Sequence, residues 1–160
     1  MWQVGVWEPE GNLSPLLAQL VQARPCLIRA CSTRCPRWSV ELDLLVVAPH
    51  APCPLWLPPC TCALVPGDVP PPRFAQPPAT LVSYGCASRD TLTLSSLTHT
   101  RAAVAVQREF SCLGGGMVER QELVLPYTGA EPMAYLAWVG TALLLGMEPR
   151  DSGLYVPETM

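Results

Sequence analysis

Lysine is absent from this chain of 160 residues: all ten basic side chains are arginine, scattered from Arg24 to Arg150. A phosphate-binding loop of the lysine-bearing kind is therefore excluded. The arginines also form no basic stripe of the type nucleic-acid binding uses. Charge of either sign is scarce, at 14% of residues with a formal net charge of -3, which is too little to steer a polyanion. No long hydrophobic run is present either: the longest, Met133 to Met147, is about fifteen residues, against roughly 20 for a membrane span. Near the start, Glu8 and Glu10 stand where a signal peptide wants basic residues followed by an apolar run. The expectation is a soluble, cytoplasmic protein with no nucleic-acid or membrane partner, its eight cysteines mostly free thiols.

What the chain does have is apolar side chains, 49% of its residues, too many for a disordered polypeptide. Its length suits one domain spanning 1-160, burying roughly 70% of the unfolded surface. Prolines concentrate between Pro49 and Pro78. Proline donates nothing to a ladder and clashes within a helix, so 49-78 reads as an irregular connector with room for one short extended piece, Thr61 to Val65.

Met1 to Trp7 alternates as a strand does. Ser14 and Pro15 form a helix start, with Leu13, Leu16, Leu17, Leu20 and Val21 on one face up to Pro25. Cys26 to Cys31 reads as a strand. Leu42 to Ala48 is a branched apolar run typical of a strand buried on both faces, and a helix among such strands points to parallel pairing. Thr80 to Tyr84 is a further buried strand. Three linked segments follow: Thr91 to Leu97, which alternates strictly, then Ala102 to Phe110 and Met117 to Leu125. They form an antiparallel meander whose last turn is Gly114-Gly115-Gly116. Because a strand follows those glycines and no lysine is present, they read as a turn rather than a phosphate site. Thr128 and Glu131 have capping-box spacing ahead of an apolar helix from Met133 to Leu145, ended by Gly146 and Pro149. The expected fold class is α/β: parallel strands in the N-terminal half, a three-stranded antiparallel meander, and an apolar C-terminal helix packed on them.

The candidate ligand-binding residues are Tyr84, Gly85, Ser88, Arg89 and Asp90, because loops at strand ends carry function in α/β proteins. Set against that, Asp90 bonding its own turn while Arg89 is solvated is the commoner arrangement. Cys53, Cys60 and Cys62 with His50 lack the paired C-x2-4-C spacing of a structural zinc site, so unliganded thiols and no metal are expected. Cys86 has no partner base implied by the spacing of His50 or His99. Gln107 to Glu109 and Glu119 to Glu122 read as a charge ladder across the glycine hairpin.

Leu81-Val82-Ser83-Tyr84-Gly85, the meander from Leu92 to Leu125, and Ala134 to Met147 together resemble the C-terminal half of the central domain of the ATP-dependent Mur ligases. There a V-x-Y-G strand precedes antiparallel strands and an alanine- and leucine-rich helix. Leu44 to Pro49 resembles the strand before it. The departures are that the family's phosphate-loop and catalytic lysines have no counterpart, and that Ala130-Glu131-Pro132-Met133 replaces its helix-opening His-Asn pair. The resemblance implies a scaffold without ligase chemistry or a cofactor: a non-catalytic domain binding a protein partner, a second copy or a small ligand. The competing expectation is a small enzyme using a thiol or the Ser88-Arg89-Asp90 loop.

Overall fold

A computed structural model describes residues 1-148 except 12, 23, 34, 52-55, 71 and 128. In chain order its elements are β1 (Trp2–Trp7), α1 (Ser14–Leu17), β2 (Cys26–Cys31), β3 (Leu42–Val47), β4 (Trp56–Leu57), β5 (Cys60–Pro66) and β6 (Arg73–Phe74). There follow β7 (Thr80–Gly85), β8 (Leu92–Leu97), β9 (Arg101–Val106), β10 (Phe110–Ser111), β11 (Met117–Val118), β12 (Gln121–Pro126) and α2 (Pro132–Leu144). Eight strands form one sheet in the order β12-β9-β8-β7-β5-β3-β1-β2. From β2 to β8 every neighbouring pair is parallel. β9 runs antiparallel to both β8 and β12. The molecule is thus a mixed α/β fold, mostly parallel, with an antiparallel flank and α2 against the sheet.

Alternation along the strands divides the core between two faces. Val4, Val6, Leu44, Val46, Leu64, Val82, Tyr84, Leu92, Val104 and Leu123 point toward α1 and α2. Trp7, Leu45, Val47, Ala63 and Val65 point the other way, beneath Leu57, Trp38 and Phe74. The apolar α2 is buried from Tyr135 to Leu144. Its Gly140 lets the sheet approach closely, since a Cβ there would stand 2.8 Å from Leu64 Cδ2 and 2.9 Å from Leu92 Cδ1.

The extended piece expected at Thr61 to Val65 is present, and the finding beyond that expectation is its place within β5, an interior strand between β3 and β7. Tertiary pairing prevails there because the prolines flank the strand. Several expectations need correction. The first helix is a single α-turn that tightens into a 3₁₀ turn over Ala18–Gln22. That change of pitch leaves Val21 40% exposed, whereas Leu13, Leu17 and Leu20 are buried. Ser14 makes no cap. Instead the buried Glu8 carboxylate accepts from the amides of Leu13 and Ser14, each at 2.7 Å. At α2 the Glu131 side chain is itself the cap, accepting from Met133 N at 3.1 Å and Ala134 N at 2.8 Å. Thr128, Pro149 and the residues after it lie outside the described residues.

β8 does not alternate strictly: a bulge between Leu94 and Ser96 shifts its register against β9. The triple glycine does turn a hairpin, but a separate one, β10 with β11. Gly114 and Gly115 take φ of 89° and 93°. This hairpin docks on the end of α2 through Leu113 N, which donates to Leu144 O at 2.8 Å. The anticipated charge ladder gives way as well, since Gln121 and Glu122 stand opposite Val106 and Ala105.

Two predictions follow from these contacts. Glu8→Ala strands two helix-start amides and is expected to lower stability by about 2 kcal/mol, read as a reduced urea midpoint at unchanged slope. Burial, then the neighbouring Cys62, pushes the Cys60 thiol up from its ordinary value near 9 to about 12. The folded state therefore holds this proton more tightly than the unfolded chain does. Its contribution is complete below about pH 9 and is lost as pH rises toward 12. Denaturant midpoints should fall across that window, and fall less in Cys60→Ala.

Candidate functional site

In the parallel half, β1, β3, β5 and β7 end side by side at Trp7, Val47, Pro66 and Gly85. Chain order reverses along this row: β1 is followed outward by β2, while β3 lies on the opposite side of β1. Loops leaving β1 and β3 must therefore part in opposite directions, which opens a crevice at their carboxyl ends. A cavity of about 270 Å³ occupies that place, with Glu8 and Glu10 after β1, His50 after β3, and Glu131 and Ala134 from the start of α2.

The lining is largely apolar, and its ionisable side chains are Glu8, Glu10 and Glu131 with His50. Two of its carboxylates are already engaged with backbone amides, Glu8 at α1 and Glu131 at α2. The N-terminus of α2 thus presents its own carboxylate where an anion would otherwise sit. Glu10 and His50 are exposed at the rim. His50 takes φ 62°, a left-handed conformation uncommon outside glycine. Its Nδ1 lies 3.8 Å from Asp68 Oδ2, both side chains being mostly exposed, so the pair adds little stability. Leu13 and Ala134 supply apolar surface within the same cavity.

The loop expected to bind ligand is folded in upon itself. Tyr84 is buried, and its hydroxyl donates to Val47 O at 2.6 Å, tying β7 to the end of β3. Burial, with help from Asp68 and Glu131, raises its pKa well above the ordinary value, so this phenol stays protonated. Asp90 is also buried. Its Oδ2 accepts from Ala87 N at 3.2 Å while its own amide donates to Ala87 O at 2.9 Å, so the side chain closes the local turn that competed with a ligand role in the sequence. The carboxylate lies against Gly67 and Gly85, where an added Cβ would come within 1.7 Å of Oδ1 and 2.5 Å of Oδ2 respectively. The Arg89 guanidinium donates to Gly67 O at 3.0 Å, and Arg108 reaches the Arg89 carbonyl. Ser88 is exposed. The structure thus brings Gly85, Arg89 and Asp90 together around Gly67, while Tyr84 points beneath the strand ends. Glu8, Glu10, His50 and Glu131 fall outside that loop. They come together only through strand order, although Glu8 and Pro49-His50 directly follow two strands readable from their apolar runs.

Seven cysteines (26, 31, 35, 60, 62, 86 and 112) are free thiols, Cys86 exposed among them. Cys53 lies outside the described residues. Among the described residues no group of three or more His, Cys, Asp or Glu side chains could hold a metal ion. No helix among them is long and apolar enough to cross a membrane. No protein-family model, curated protein or solved structure matches the chain.

The Asp90 contacts make a quantitative prediction. Gly67→Ala should lower stability by about 3 kcal/mol, in the range of severe steric substitutions. In an Asp90→Ala background the same change should cost at least about 1 kcal/mol less, because the group it strikes is gone. Urea denaturation of the four proteins in this cycle supplies the coupling energy.

Proposed function

We propose that this chain is a non-catalytic binding domain on a Mur-ligase-like scaffold, taking a small cationic ligand in the crevice between the ends of β1 and β3. The observation that carries the binding site is the coincidence of the chain-order reversal with a cavity there. The lining supports the ligand class: Glu8, Glu10 and Glu131 against a single His50, with Leu13 and Ala134 to cover a short apolar body. Carboxylates set in a concave, partly apolar wall attract a cation more strongly than the same charges on an open surface do. An organic amine fits such a wall without the ligand cluster a metal ion requires.

The Mur-ligase-like part rests on the order of elements, since the strand ending Tyr84-Gly85 is followed by β8, β9 and β12 and then by α2. The absence of lysine supports a non-catalytic role, because the family's nucleotide and ligase chemistry depends on lysine side chains.

Titration calorimetry with aliphatic mono- and diamines, matched carboxylates and adenine nucleotides tests this reading. The amines are expected to bind, to weaken with added salt, and to lose about fivefold in affinity in Glu10→Gln. Equal binding of amines and carboxylates, or binding that Glu10→Gln leaves unaltered, would sink it. Hydrolysis of a bound nucleotide would refute the non-catalytic role.

A further inference from the structure

At the far end of the same row of strand ends, β2 finishes at Cys31, and a short loop carries Cys35 four residues later. Indole groups brace this loop: Trp7 Nε1 donates to Thr33 O at 2.7 Å, and Trp38 Nε1 donates to Arg29 O at 2.9 Å. Within it, the Thr33 hydroxyl lies 3.3 Å from Cys31 Sγ and donates to Cys35 O at 3.2 Å. One hydroxyl therefore bridges the sulfur of one cysteine and the backbone of the other. A hydroxyl has a single proton, so when Cys31 ionises Thr33 can turn that proton from Cys35 O to the thiolate.

The cysteines elsewhere in the sheet have different surroundings. Burial pushes the thiols of Cys26, Cys60 and Cys62 up, most of all Cys60. At Cys31 partial burial pushes the same way, but the Thr33 hydroxyl and the amides of Thr33 and Arg37 outweigh it and hold the thiol below its ordinary value. Cys31 is only half-buried, and Cys35 is exposed. A reactive thiolate requires both stabilising donors and access.

We propose that Cys31 and Cys35 form a peroxide-responsive dithiol, in which hydrogen peroxide oxidises Cys31 and Cys35 then closes a disulfide upon it. In the first step the Cys31 thiolate attacks one peroxide oxygen and the O–O bond breaks. This yields Cys31 sulfenic acid and hydroxide, which a proton converts to water. In the second step the Cys35 sulfur attacks Cys31 Sγ, an S–S bond forms, the S–O bond breaks, and the hydroxyl leaves as water with the Cys35 proton. Sulfur is oxidised by two electrons overall and peroxide is reduced to two waters. Closure requires the two Cα atoms to come within about 7 Å, and the Thr33 hydroxyl already holds Cys31 Sγ at 3.3 Å and Cys35 O at 3.2 Å.

The full chain, reduced and then treated with hydrogen peroxide, should give a Cys31–Cys35 link on non-reducing peptide mapping by mass spectrometry. In Cys35→Ser, oxidation should stop at a Cys31 sulfenic acid captured by dimedone. Before oxidation, iodoacetamide at neutral pH should alkylate Cys31 faster than Cys35 or Cys86. Thr33→Val is expected to slow that alkylation about fivefold, while Thr33→Ser retains the rate. The proposal is overturned if peroxide leaves both thiols free or links a different pair. Alkylation of Cys31 no faster than Cys35 and Cys86, or equally fast in Thr33→Val, overturns it too.

Discussion

A parallel sheet must be dry on both faces, and the described residues include one long helix with which to dry them. α2 covers one face with help from the short α1. The other face falls to the segments between β2 and β3 and around β4 and β6, which lay Trp38, Val40, Leu57 and Phe74 over Trp7, Leu45 and Val65. From the proline-dense stretch, Ala51, Leu57 and Phe74 thus help to cover the face beneath which β5 runs.

How much of this could be read from residues alone depended on whether local signals and tertiary demands agreed. Leu42–Val47 and Thr80–Gly85 were legible because branched apolar runs of that length are buried strands in nearly any context. The apolar α2 was legible for a similar reason. β5 was legible only as a short extended piece, since its neighbours in sequence argue against a strand while its neighbours in space require one. The cap of α1 was misread because Ser14 is the usual local solution. Glu8, six residues earlier, can serve only once β1 has been placed beside the helix start.

The strand-end cavity marks a different limit. Each residue lining it lies near the end of a recognisable element, but nothing in the linear order says that β1 has β2 on one side and β3 on the other. The loop from Tyr84 to Asp90 does follow a strand of the parallel half. Its polar groups turned out to bind one another and the backbone around Gly67. Between a ligand role and a turn role for Asp90, the close approach of Gly67 and Gly85 to its carboxylate gives the turn its physical basis.

The junction between the two halves of the sheet has a mechanical side. β7 and β8 run parallel but overlap only at Tyr84 with Leu92 and at Gly85 with Thr93, so β8 begins about where β7 stops, displaced sideways by one strand. Such an offset is a weak seam, crossed by few main-chain bonds. α2 lies over it, packing on both β7 and β8, while the small hairpin sets β10 beside β7 on the flank that β8 leaves open. The helix thereby acts as a splint: the antiparallel flank holds its angle to the parallel half largely through side-chain packing, and loosening that rod would let the sheet flex along one line.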